Sequence, residues 1–229
     1  MQSTVPVQHD KLPAPTAFLF DWDNTLVDTF ELIFKSMNAA LKSVDKPEWT
    51  WDEAHKMIHR SARDSFKDFF GDRWPQAQKV YYQSFERYHL ETLRPLGEAE
   101  NLIKAIAAKN IPMGLVSNKQ GKYLRLEVEH IGWGHYFQAV VGATDAPKDK
   151  PHADPALMAL KTMGLEASRS VYFVGDTVTD LGCAYNAGLT AVFQRDPLPA
   201  PTDFSDTPPH LSAKNCADLK ELLTQLCFI

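Results

Sequence analysis

A chain of 229 residues, 44% hydrophobic and 23% charged, has enough apolar material for one large domain or for a core with a small accessory domain. Its net charge of −5 lacks the basic surplus of a general nucleic-acid binder, so no nucleic-acid partner is expected, and a phosphorylated ligand would need to be held by local groups. No stretch approaches the ~20 apolar residues of a membrane span, and Cys183, Cys216 and Cys227 are too few and too irregular for a disulfide framework or zinc site, which points to a reducing, cytoplasmic setting without membrane contact.

Residues 1–15 read as a polar, proline-bearing arm without the basic start or apolar segment of a secretory signal. The first strand is AFLF at 17–20, a continuous apolar run of the kind buried on both faces. It runs directly into Asp21 and Asp23, with Asn24 and Thr25 close behind. Phe30, Ile33, Phe34, Met37 and Leu41 then recur at helical spacing, and Asp28 or Thr29 is expected to cap that helix. From 29 to 95 no strand pattern appears, while Trp49, Trp51, Phe66, Phe69, Phe70, Trp74, Tyr81, Tyr82, Phe85 and Tyr88 crowd together. This predicts a helical insertion whose aromatics fill a small bundle. The chain returns at Arg94–Pro95–Leu96, which gives a core of residues 1–28 and 96–229 and a helical cap at 29–95.

Strands and helices alternate after the insertion. The stripe Leu102, Ile103, Ile106 precedes the strand MGLVS (113–117), and Leu124, Val128, Ile131 precedes AVVG (139–142). Leu157 and Leu160, closed by Gly164 beyond the helix end, precede VYFVG (171–175), and TAVFQ (190–194) follows. Leu219, Leu222, Leu223 and Leu226 mark a last helix with Asn215 as its N-cap. The alternation implies an α/β fold with a doubly wound, Rossmann-like parallel sheet.

The polar residues fall at the carboxyl ends of the strands, where open α/β sheets bind ligands: Asp21 after the first, Ser117 and Asn118 after the second, Asp176 after the fourth. Lys150 lies in the loop after the third. Asp21, Asp23, Asp176 and Asp180 would repel one another unless an oxygen-seeking divalent cation joined them, and Mg²⁺ suits a site of carboxylates, waters and a phosphate. Ser117 or Thr25, Asn118 and Lys150 supply a hydroxyl, an amide and an ammonium for phosphoryl oxygens. One free carboxylate can then attack phosphorus while a neighbour handles the proton. Each residue also has a plain structural use, since Asp176 or Asp180 would cap the helix holding Leu181 and Ala184.

In this order the motifs resemble the haloacid dehalogenase (HAD) superfamily. DWDNT (21–25) is similar to its Asp-x-Asp-x-Thr motif, and VSN (116–118) to its strand ending in Ser or Thr. DKPHADP (149–155) is similar to its Lys-Pro-x-x-x-Pro motif and GDTVTD (175–180) to its Gly-Asp-x-x-x-Asp motif. The insertion resembles the helical cap of the subclass that contains phosphoglycolate phosphatases and β-phosphoglucomutase.

The resemblance implies a Mg²⁺-dependent phosphatase acting on a small phosphorylated metabolite. Asp21 is then the nucleophile that becomes an aspartyl-phosphate, and Asp23 gives a proton to the leaving oxygen and afterwards activates water. Mg²⁺ is held by Asp21, the backbone carbonyl of Asp23, and Asp176, with Asp180 in or near its second shell. Thr25, Ser117 and Asn118 hold phosphate, and Lys150 offsets charge. Trp22, Asn24 and His152 depart from the usual residues; Trp22 is expected to pack into the core, Asn24 to adopt a left-handed backbone, and His152 to approach the pocket. Lys148 competes with Lys150, but Pro151 favours Lys150.

In the cap, Arg60 or Arg63 would clamp an anionic leaving group, against the plain alternative of surface pairing with Asp64 or Asp68. His55 and His59 are read as packing residues, having no third metal ligand nearby. A phosphosugar mutase of the β-phosphoglucomutase type would keep every core motif and differ in the cap. A haloacid dehalogenase would not need Asp23 or the acidic GDTVTD segment. A phospho-accepting receiver domain would leave the insertion unexplained.

Overall fold

The computed structural model describes residues 12–58, 62–198 and 204–229. Six parallel strands form its central sheet: β1 (Ala17–Phe20), β4 (Met113–Gln120), β5 (Phe137–Ala143), β6 (Val171–Gly175), β7 (Thr190–Gln194) and β8 (Leu211–Ala213). Two short strands, β2 (Val27–Asp28) and β3 (Arg94–Pro95), pair antiparallel beside it. The main sheet runs β5-β4-β1-β6-β7-β8. Strand order therefore reverses around β1, and the carboxyl ends of β4, β1 and β6 meet at the position where such sheets open a crevice.

The two faces of β1 explain its unbroken apolar sequence. Phe18 and Phe20 pack on one side with Leu102, Ile103 and Ile106 of α5 (Ala99–Ala108), Leu124 and Val128 of α6 (Gly121–Ile131), and Leu219 and Leu223 of α9 (Cys216–Gln225). Ala17 and Leu19 pack on the other with Ala156, Ala159 and Leu160 of α7 (Asp154–Thr162) and Leu181, Cys183 and Ala184 of α8 (Val178–Asn186). Alternate residues of a strand point to opposite faces, so a strand between two helical layers must be apolar throughout. Full burial of a side chain such as Phe18 stabilises the fold by ~1.5–3 kcal/mol.

Between β2 and β3 the chain is helical: α1 (Phe30–Ser43), α2 (Trp51–Met57), α3 (Ala62–Phe70), a 3₁₀ turn at Gly71–Arg73, and α4 (Trp74–Thr92). Met37, Leu41, Phe66, Phe70 and Ala77 form the centre of this bundle. The aromatics of the insertion divide into three groups. Phe66 and Phe70 fill the bundle with Trp49 and Phe69 packed against them, Trp51, Trp74 and Tyr88 are exposed, and Tyr81, Tyr82 and Phe85 line a cavity against the sheet.

Several sequence expectations gain detail. The strands predicted at 113–117 and 139–142 extend to 113–120 and 137–143. Leu157, placed on the apolar stripe of α7, is exposed. Gly164 is left-handed beyond that helix (φ 70°), and Asn215 caps α9 by accepting from the Asp218 amide at 3.0 Å. Thr29 occupies the N-cap position of α1 but makes no capping bond; its hydroxyl is turned to Asp23 and donates to Oδ1 at 2.5 Å.

Candidate active site

The segment after β1 turns sharply so that Asp21 and Asp23 both face the crevice. Asn24 takes φ 59° and its amide donates to the Val27 carbonyl at 2.7 Å, a left-handed turn that Asn tolerates well. Trp22, between the two aspartates, is fully buried in the core and donates Nε1 to Glu127 Oε2 at 2.7 Å.

Gly175 ends β6 just before Asp176. A Cβ there would lie 2.3 Å from the Cβ of Asp180, so only glycine lets Asp180 fold back against the strand end. Asp180 sits in the first turn of α8 and accepts from the backbone N–H of Thr177 at 3.0 Å, as a capping residue does. Its Oδ1 accepts from Lys150 Nζ at 2.6 Å. The same carboxylate thus caps the helix start and anchors the ammonium of Lys150.

Lys150 is buried and held by its backbone. Its N–H donates to Asn118 Oδ1 at 3.0 Å, and its carbonyl accepts from Asn118 Nδ2 at 3.2 Å. Its ammonium reaches 2.7 Å from Asp21 Oδ1 as an ion pair, off the angle of a hydrogen bond. Lys148 and His152 are both exposed, so of the two candidates Lys148 and Lys150 it is Lys150 that reaches the site, and His152 does not line the cavity.

Asp21, Asp176 and Asp180 are buried, with one carboxylate oxygen of each within 4.8 Å of the others. Burial lifts the Asp21 carboxyl; Lys150 draws it down, and Asp180 and Asp23 push it up again, to about 7. Burial, then Asp180 and Asp21, hold Asp176 well above the usual carboxylate range despite Arg195 and Lys150. The crowding is a charge conflict that one lysine only partly relieves. The oxygen donors fit a hard divalent cation, with Asp21 and Asp176 the freer ligands because both oxygens of Asp180 already accept hydrogen bonds.

Asp21, Asp23, Ser117, Asn118, Lys150 and Asp176 line one cavity, roofed by Ile33, Ile58, Tyr81, Tyr82 and Phe85 from the insertion. Ser117 Oγ accepts from the Lys119 amide at 3.2 Å, which leaves its hydroxyl proton available to a ligand. Thr25 is set back from this cavity: it is fully buried, and its hydroxyl lies 3.4 Å from Asp176 Oδ1. Arg60 and His59 lie outside the described residues, as does the side chain of Arg63. His55 stacks on Phe30, with ring centroids 3.8 Å apart.

Sequence reasoning missed a second lysine. Lys119 Nζ bonds Asp23 Oδ1 at 2.6 Å and also pairs with the fully buried Glu127, whose other oxygen is 3.0 Å from His89 Nδ1. A signal was present: Glu127 stands three residues after Leu124 and four before Ile131, a carboxylate on the apolar face of its helix.

Residues 18–193 match the model of the family described as haloacid dehalogenase-like hydrolase. A phosphoglycolate phosphatase of Shigella boydii is 28% identical over 198 residues, covering 76% of this chain and 78% of that protein. The crystal structure of a HAD-superfamily hydrolase from Ehrlichia chaffeensis is 28% identical with a TM-score of 0.63, covering 93% of this chain and 98% of that one. A haloacid dehalogenase-like hydrolase from Streptococcus pneumoniae shares the fold at a TM-score of 0.79 and 20% identity, covering 93% and 99% of the two chains. The chain belongs to the haloacid dehalogenase-like hydrolase family.

Proposed function

We propose that this haloacid dehalogenase-like hydrolase is a Mg²⁺-dependent phosphatase that cleaves a small phosphorylated metabolite through an aspartyl-phosphate on Asp21. The observation that carries the reading is the buried Asp21–Asp176–Asp180 cluster, part-neutralised by Lys150, of which Asp21 and Asp176 line a cavity that also presents Asp23, Ser117 and Asn118. Likeness to a phosphoglycolate phosphatase supports this choice of chemistry.

Asp21 attacks phosphorus, forming an acyl phosphate as the bond from phosphorus to the leaving oxygen breaks. Asp23 gives that oxygen its proton and departs as a carboxylate. The same carboxylate then takes a proton from water, whose oxygen attacks phosphorus, releasing phosphate and restoring Asp21. Ser117 donates to a phosphoryl oxygen, and Lys150 offsets negative charge on the group and on Asp21. Asn118 acts by fixing Lys150, and Thr25 by supporting Asp176. Mg²⁺ would be held by Asp21, Asp176 and the Asp23 carbonyl with Asp180 in support, and it supplies the positive charge that phosphoryl transfer requires.

The test is phosphate release from a panel of phosphorylated metabolites, with and without Mg²⁺. Turnover of at least one member with Mg²⁺, abolished by chelator, supports the reading. Full turnover in excess chelator, or isomerisation of a phosphosugar with no phosphate release, overturns it.

A further inference from the structure

Asp23 has two oxygens in unequal surroundings. Oδ1 accepts from Lys119 Nζ at 2.6 Å and from Thr29 Oγ1 at 2.5 Å, while among the described residues no donor reaches Oδ2. Lys119 itself is held from behind. Its side chain is 4% exposed, its ammonium is paired with Glu127 as well, and it lies 5.3 Å over the ring of Phe85.

Glu127 is fully buried, a position a lone carboxylate does not occupy without strong pairing. Here it takes three partners from three parts of the chain: Lys119 of β4, Trp22 Nε1 beside Asp23, and His89 of α4 in the insertion. Those partners outweigh burial and hold the Glu127 carboxyl below its ordinary value. Burial alone would lower Lys119, yet Asp23 and Glu127 together keep its ammonium above the ordinary lysine value. A buried ion pair seldom stabilises more than an apolar pair of the same shape. Its use here is directional, since Glu127 fixes where the ammonium points and Asp23 lies at the end of that line.

We propose that Lys119 is a positioning residue for Asp23: clamped by Glu127, and braced by His89 of α4 through Glu127, it immobilises Oδ1 and leaves Oδ2 to carry the proton. The inference rests on the reading of Asp23 as the proton-transfer group. It differs from phosphate binding, where Lys119 would contact the phosphoryl group and act without Asp23.

A double-mutant cycle separates these roles, with Lys119→Met made in the native chain and in Asp23→Asn, assayed on β-glycerophosphate and p-nitrophenyl phosphate. Positioning predicts that Lys119→Met lowers kcat on β-glycerophosphate by ~10–100-fold, part of the range for lost proton transfer, with KM changed by less than about 3-fold. In Asp23→Asn the same substitution should add less than about a 2-fold loss, because it acts only through the missing carboxylate. If Lys119→Met leaves Glu127 unpaired and does not fold, the paired replacement Lys119→Met with Glu127→Leu enters the cycle with the same expectation. Additive losses, or a raised KM with weakened inhibition by inorganic phosphate, overturn the proposal by placing Lys119 on the phosphoryl group. If Asp23→Asn shows no dependence on the leaving group, the acid–base reading itself fails, and this inference with it.

Discussion

The ammonium of Lys150 stands 2.7 Å from Oδ1 of Asp21, inside a wall that also contains Asp176 and Asp180. Removing that charge leaves three buried carboxylates facing one another. Lys150→Met should lower phosphate release by ~10²-fold or more, the scale of losing one preorganised charge at a developing anion. It should also destabilise the chelated protein more at pH 8 than at pH 5, since at low pH the carboxylates relieve their repulsion by taking up protons. Thermal melts at the two pH values check this, and an equal loss at both would contradict it.

On the proposed reading, with Mg²⁺ held at Asp21, the proton on that carboxyl sets a pH limit on metal binding. Its carboxyl is raised to about 7, so below that pH a cation must displace a proton to bind. The rise in melting temperature caused by Mg²⁺ should therefore be largest near pH 8 and weaken as pH falls through about 7. In chelator the sign for stability reverses. Between the ordinary carboxylate range and about 7 the folded state binds more protons than the unfolded one, so this group makes stability fall as pH rises. A Mg²⁺ shift that is flat from pH 8 to 5.5 would show that the cation displaces no proton from Asp21 in that range.

His210 works in the opposite sense and away from the acidic cluster. Its Nδ1 accepts from the Ala191 amide at 2.9 Å, and its ring stacks on Tyr185. Burial first, and Arg169 second, push it down to about 4. In the unfolded chain it titrates near 6.5, so between those values the unfolded state holds the extra proton. The contribution is present above about 6.5 and lost as pH falls toward 4. The difference in melting temperature between the native protein and His210→Gln should shrink across that window, and a constant difference would show that His210 does not titrate there.

The strands and the acidic motifs were legible because each is a local pattern. AFLF is apolar on both faces, and Gly175–Asp176 to Asp180 brings its carboxylates together within one strand end and one helical turn. β8, three residues long, and the two-residue pair β2–β3 are too short to carry a pattern. The Asp23–Lys119–Glu127–His89 line joins the loop after β1 to β4, α6 and α4, and only the fold brings these residues within bonding distance. Thr29 shows the same limit. Its position is that of an N-cap, but the tertiary partner Asp23 takes its hydroxyl.

The two aspartates after β1 should fail at different steps when each is changed to asparagine. The amide is nearly the size of the carboxylate, so both variants should fold. On the proposed mechanism Asp21→Asn removes the nucleophile, and no phosphoenzyme should form with any substrate. On the same mechanism Asp23→Asn keeps the nucleophile and loses proton transfer, worth typically ~10²–10⁴-fold. An alkyl phosphate should suffer that loss at phosphoenzyme formation, because an alkoxide leaves poorly without a proton. p-Nitrophenyl phosphate should suffer much less there, since nitrophenolate needs little help, while hydrolysis of the intermediate stays slow. Rapid mixing of Asp23→Asn with p-nitrophenyl phosphate should then give a burst of nitrophenolate approaching one per enzyme, followed by a slow steady state. The same mixing with Asp21→Asn should give no burst. A burst from Asp21→Asn and none from Asp23→Asn would reverse the two roles.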